Sequence, residues 1–123
     1  MEETELEGNE FVDRSALQLS GGGAVTGDHR EIDPESGLQK GYLVLTEAER
    51  AKGFVRPVRD SYRHLRCGNL TTMSIDIAET YARDPGFYTG TFCVTCRGHF
   101  PVGEYGRFVW IENDGSDGSK VGT

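Results

Sequence analysis

The chain has 123 residues, 36% of them hydrophobic, with 17 glycines and a net charge of −7. That length suits one domain whose core is small, and no apolar run is long enough to cross a bilayer as a helix, so a large self-sufficient core and a membrane-spanning helix are both excluded. A small core gains most from a staple, and a structural metal is one.

The charge is unevenly placed. Residues 1–39 carry −8, residues 40–110 carry +3 and residues 111–123 carry −2. The acidic character belongs to the ends, and the middle is mildly basic. Three cysteines cannot all pair within one chain, and the acidic start Met1-Glu2-Glu3-Thr4-Glu5 has no apolar segment behind it, so it does not read as a secretory signal. The expected setting is the reducing cytoplasm, where thiols stay available to a metal.

In chain order, residues 1–37 read as an acidic, glycine-rich flexible region, with Gly21-Gly22-Gly23 and few groups to bury. Phe11-Val12 with Leu17 and Leu19 interrupts it, as a short docking segment or a stray apolar cluster. An α+β domain is expected over 38–112, with one main helix, a β-hairpin and short extra strands. Tyr42-Leu43-Val44-Leu45 reads as a buried strand. Thr46-Glu47-Ala48-Glu49 matches a capping box, which predicts a helix of about two turns ending near Gly53. Phe54 to Arg59 alternates in part, and Pro57 confines any strand there to an edge.

Leu70, Met73, Ile77 and Tyr81 fall at helical spacing, which predicts the main helix over 71–83, stopped by Asp84-Pro85-Gly86. Phe87 to Phe92 and the aromatic, β-branched run Arg107-Phe108-Val109-Trp110-Ile111 read as strands. With the turn residues at 101–106 between them, they are the expected arms of the hairpin. Residues 113–123 read as a short polar tail, beginning with the turn Asn113-Asp114-Gly115 and ending in an extended piece at Lys120-Val121.

All three cysteines fall in two half-sites, His64-Leu65-Arg66-Cys67-Gly68 and Cys93-Val94-Thr95-Cys96-Arg97-Gly98. Two donors separated by two residues reach one metal from a tight turn, and glycine after the second donor frees backbone N–H groups to face the sulfur. Together they make one expected Cys3His zinc site, His64, Cys67, Cys93 and Cys96. His99, three residues past Cys96, is the rival fourth ligand or a hydrogen-bonding neighbour of a cysteine sulfur. The competing reading makes Cys67 an ordinary buried thiol and Cys93/Cys96 a redox pair. A thioredoxin-like pair opens a helix, and Arg97-Gly98-His99-Phe100-Pro101 is a poor helix start.

These half-sites, with a hairpin at the second, resemble zinc-ribbon and zinc-knuckle domains. Here a histidine takes the place of the usual first cysteine and a helix fills the spacer, so the resemblance implies a small zinc-stapled α+β fold rather than a plain ribbon. The segments Ala78-Glu79-Thr80-Tyr81-Ala82-Arg83-Asp84-Pro85 and Phe100-Pro101-Val102-Gly103-Glu104 also look like small uncharacterised bacteriophage and prophage proteins. That resemblance covers roughly residues 42–123; it implies a bacterial host cytoplasm and brings no activity with it.

Three functions are in view. The first is a zinc-stabilised binding module for a protein or nucleic acid partner. The segment 50–66 holds six basic residues against Asp60, with Phe54 and Tyr62 interleaved, and Arg56, Arg59, Arg63 and Arg66 are its candidate partner contacts. The second is a host-directed phage protein whose acidic region is a contact arm or a mimic of phosphate charge. The third is an enzyme, a zinc hydrolase or a thiol oxidoreductase using Cys93 and Cys96.

Overall fold

The structure, a computed structural model, describes residues 14–123. Phe11 and Val12 lie outside the described residues. A 3-10 turn at Arg14–Ala16 leads into β1 (Leu17–Leu19), followed by β2 (Leu43–Leu45), α1 (Glu47–Arg50), β3 (Ser61–His64), β4 (Leu70–Thr72), α2 (Ile75–Arg83), β5 (Gly90–Cys93), β6 (Gly98–Pro101), β7 (Phe108–Ile111) and β8 (Asp117–Lys120). The class is α+β and sheet predominates.

Three antiparallel sheets form among the described residues. The largest has the order β4-β3-β7-β8; β1 pairs with β2, and β5 with β6. Phe108, Val109 and Trp110 of β7 are all buried, as a central strand with covered faces requires. The main core gathers Tyr62, Met73, Ala78, Tyr81, Cys93, Phe108, Trp110 and Val121. A smaller cluster places Leu43, Leu45 and Phe87 under Leu17, Leu19 and Tyr88.

Helix α2 turns Ala78, Tyr81 and Ala82 into the protein. Its Thr80 hydroxyl accepts from the Leu45 N–H at 3.1 Å and donates to the Asp76 carbonyl, so it couples the helix to β2. Asp76 in the first turn accepts from the Ser20 hydroxyl at 2.7 Å and the Gly21 N–H at 2.9 Å, which holds the end of β1 to the helix.

Several expectations are corrected. Residues 14–37 are not uniformly flexible: Leu17 pairs with Leu45 and Leu19 with Leu43, because three residues with two leucines suffice to complete a small apolar cluster. α1 is one turn long; Thr46 caps it as expected, its side chain accepting from the Glu49 N–H, but no residue of α1 is buried to extend it. Residues 54–59 form no strand, since the Val55 and Arg56 N–H groups both go to the Ala82 carbonyl.

The main helix begins at Ile75, and Leu70–Thr72 is strand β4 against β3. Thr71 and Thr72 are β-branched and find a partner edge there. The hairpin pairs β5 with β6, from Gly90 opposite Pro101 to Cys93 opposite Gly98, whereas β7 joins β3 and β8. The C-terminal residues are no loose tail. β8 closes the large sheet, and Val121 is fully buried.

Candidate metal centre

The first half-site lies in the turn of the β3–β4 hairpin. His64 ends β3; its N–H donates to the Asn69 carbonyl at 3.0 Å, and its carbonyl accepts from the Gly68 N–H at 2.6 Å. Gly68 sits at φ +79°, a left-handed conformation open to glycine. The Leu65 N–H donates to the Arg107 carbonyl at 2.7 Å, which anchors the turn to the chain entering β7.

The second half-site lies in the turn of the β5–β6 hairpin. Cys93 ends β5; its carbonyl accepts from the Arg97 N–H at 2.8 Å, and its sulfur accepts from the Cys96 N–H at 3.4 Å. Arg97 adopts φ +56°, the one non-glycine residue with positive φ among those described.

The two turns face each other and bring four donor atoms together. One ligand atom each of His64, Cys67, Cys93 and Cys96 lies within 4.8 Å of all the others. The Cys67 sulfur is 3.6 Å from His64 Nδ1 and 3.7 Å from the Cys93 sulfur, and the Cys96 sulfur is 3.6 Å from His64 Nδ1. Phe108 stacks on the His64 ring at 4.5 Å, and Phe100 lies tilted beside it at 4.8 Å. These contacts restrain the ring, whose Nδ1 lies toward the Cys67 and Cys96 sulfurs. His64 and Cys93 are buried, Cys67 is half-buried and Cys96 is exposed.

The protonation chemistry is that of crowded thiols. Desolvation and hydrogen bonds with Cys93 and Cys67 push Cys96 up to about 11, while the Asn69 backbone draws Cys67 down. Burial, with the nearby Arg66 charge, lowers His64 and keeps its ring neutral. Cys96 so placed resists ionisation unless a cation compensates it, and a neutral imidazole beside the sulfurs completes a soft donor set. The arrangement is consistent with a metal site.

His99 lies outside this group. It sits on β6, and its Nε2 is 2.7 Å from the Tyr42 hydroxyl, on the loop side of the hairpin. The basic segment is also arranged differently from its sequence reading. Arg59 lies over Trp110 at 5.1 Å and pairs with Glu112 at 3.1 Å. Arg63 pairs with Asp117 at 3.1 Å and donates to the Gly68 carbonyl at 2.8 Å. Arg56 donates to the carbonyls of Val55 and Thr123. These three side chains bind β8, the chain flanking it and the first half-site turn; Arg66 is exposed.

One supporting group escapes a reading by ligand spacing. In the loop 33–38, the Gly37 N–H donates to the Asp33 carbonyl, and the Asp33 carboxylate accepts from the Glu35 N–H and the Ser36 hydroxyl. Gly37 is buried against the Arg97 carbonyl, and Arg97 donates to the Glu35 carbonyl at 3.3 Å. This loop braces the second half-site. Its sequence signal, Asp33-Pro34-Glu35-Ser36-Gly37, is that of an Asx turn.

Comparison of the chain with protein-family models, with curated proteins and with solved structures gives no match.

Proposed function

We propose that His64, Cys67, Cys93 and Cys96 hold one structural zinc ion, and that the protein is a small zinc-stabilised interaction module. The observation that carries this reading is the spacing of the donors. A tetrahedral centre with Zn–S near 2.3 Å and Zn–N near 2.0–2.1 Å has sulfur–sulfur edges of about 3.8 Å and sulfur–nitrogen edges of about 3.5 Å. Three of the six donor–donor distances here are 3.7, 3.6 and 3.6 Å, and all six lie within 4.8 Å.

Four protein ligands close the coordination sphere and leave no position for a catalytic water. That favours a structural role over a zinc hydrolase. Cys93 is wholly buried beneath its neighbours, which disfavours a thiol-exchange role that needs access to an attacking sulfur.

A protein partner fits better than nucleic acid. Arg56, Arg59 and Arg63 are engaged within the chain, and the net charge of −7 opposes phosphate. The two half-site turns instead present exposed Leu65 and Val94 beside Arg66. A bacteriophage setting with a host protein as the partner belongs to this reading and rests on sequence resemblance alone.

Metal content by mass spectrometry tests the centre. The expected result is one zinc per chain for the parent and for His99→Ala, and none for His64→Ala. Retention of full zinc by His64→Ala would sink the assignment. Nucleic acid binding at low salt, absent in Arg66→Ala, would move the partner class from protein to nucleic acid.

A further inference from the structure

The three sulfurs of the metal centre differ in access. Cys93 is 0% exposed; it ends β5 opposite Gly98 and belongs to the main core. Cys67 is half-buried at the rim of that core, and Cys96 is exposed in the turn between β5 and β6. Arg66 and Arg97, both exposed, adjoin these two cysteines in the chain, and no acidic residue lies in 61–75 or 85–103. An exposed cysteine with cationic neighbours and a second thiol in reach is the setting in which sulfur meets oxidants.

The same geometry selects the bond that follows oxidation. The Cys67 and Cys96 sulfurs lie within 4.8 Å of each other, so movement of two surface turns closes them to the ~2.05 Å of a disulfide. Cys93 is less free to move: strand pairing and the core hold it, and its sulfur accepts the Cys96 N–H. A Cys67–Cys96 bond also links the β3–β4 turn to the β5–β6 turn, on two sheets that no strand pairing joins among the described residues.

We propose that Cys96 is a peroxide-sensitive site, and that its oxidation exchanges the zinc staple for a Cys67–Cys96 disulfide. This rests on the zinc reading of the four donors, under which each cysteine is held as a thiolate. The Cys96 thiolate attacks one oxygen of hydrogen peroxide; the O–O bond breaks, the sulfur becomes a sulfenic acid and hydroxide leaves. The Cys67 thiolate then attacks the Cys96 sulfur; the S–S bond forms and the S–O bond breaks with loss of a second hydroxide. The two sulfurs give up two electrons, and the peroxide takes them up. Cys93 and His64 alone are too few donors to retain the ion. The disulfide closes a long loop in the unfolded chain, so the domain stays folded where plain removal of the metal unfolds it. A dithiol reductant reverses the exchange, and the four donors are restored.

The test uses the full chain as purified with zinc, titrated with hydrogen peroxide. Zinc release, read with a chromogenic chelator, should match disulfide formation one for one. Peptide mapping should place the bond between Cys67 and Cys96 and leave Cys93 open to alkylation after denaturation. Circular dichroism should keep its sheet signal on oxidation, although chelation of the same sample removes it. Dithiothreitol with added zinc should restore the starting metal content. Cys96→His, which keeps four ligands, should hold its zinc under the same peroxide; where that variant purifies without zinc, the mapping in the parent decides. A Cys93–Cys96 bond, sulfinic or sulfonic acid at Cys96 in place of a disulfide, loss of the sheet signal on oxidation, or equal zinc loss from Cys96→His would overturn the exchange and leave the metal centre standing. So would full zinc retention by the parent under peroxide. A parent that purifies without metal would overturn both.

Discussion

Single side chains separate the two histidines that spacing leaves in competition. His64 is stacked on Phe108 and flanked by Phe100 with Nδ1 toward two sulfurs, whereas His99 is turned to Tyr42. Gly37 shows the same local control in the backbone. It sits at φ +83°, and a Cβ there would fall 2.1 Å from the Arg97 carbonyl oxygen. Gly37→Ala therefore has two costs, a left-handed conformation and a displaced half-site turn. It should lower stability by about 1–3 kcal/mol, read as a shift in the urea midpoint at an unchanged slope. Gly23→Ala is the control; a Cβ there meets nothing within 4 Å, and the midpoint should hardly move. Equal shifts for the two variants would mean that the 33–38 loop does not brace the turn.

Among the elements, α2 offers a pH-dependent test. Burial pushes the Asp76 carboxyl up, but hydrogen bonds from Ser74, the Gly21 N–H and Ser20 outweigh it and leave it below the ordinary carboxylate value. A depressed native pKa means that the carboxylate stabilises the fold above its unfolded pKa of ~3.9, and that this contribution is lost as pH falls through the native value. Asp76→Asn should thus be less stable than the parent at neutral pH, and the gap should narrow steadily below about pH 4. A gap independent of pH would leave the contact with no ionic character. The elements also show what could be read from residue order. Phe108-Val109-Trp110-Ile111 is legible as a strand because both faces are apolar, and Thr46 is legible as a cap because its hydroxyl acts three residues away. The start of α2 is not legible: Leu70 and Met73 fit a helical face, yet β3 supplies Leu70–Thr72 with a strand partner, and Met73 is buried just before the helix. The partner of β5 is hidden likewise, because β6 and β7 both follow it within reach of a hairpin and only the core decides between them. The four donors were legible because their chemistry is local to two tight turns. The fate of the arginines was not, because Glu112 and Asp117 are far along the chain.

Across the fold, the two half-sites stand on different sheets, one on the β3–β4 turn and the other on the β5–β6 turn. No strand pairing joins those sheets among the described residues; side-chain packing of Tyr62, Cys93 and Phe108 joins them, and in the proposed reading a metal on the four donors closes them further. The C-terminal strand adds a second closure, since Val121 is fully buried in the same core. Val121→Ala should cost about 2 kcal/mol through lost burial and the cavity left behind, which a polar tail would not show. The metal closure should matter more. In a domain this small, the free energy of closing a structural zinc centre is in large part folding free energy. Chelation is therefore expected to unfold residues 60–112 rather than merely empty the site. Circular dichroism should lose its sheet signal, and amide protection in β3, β5 and β7 should collapse together. Returning zinc should restore both, with release of protons as the cysteines ionise. Dichroism and protection unchanged after complete zinc removal would show that the aromatic core holds the sheets by itself and that the four donors are not the staple.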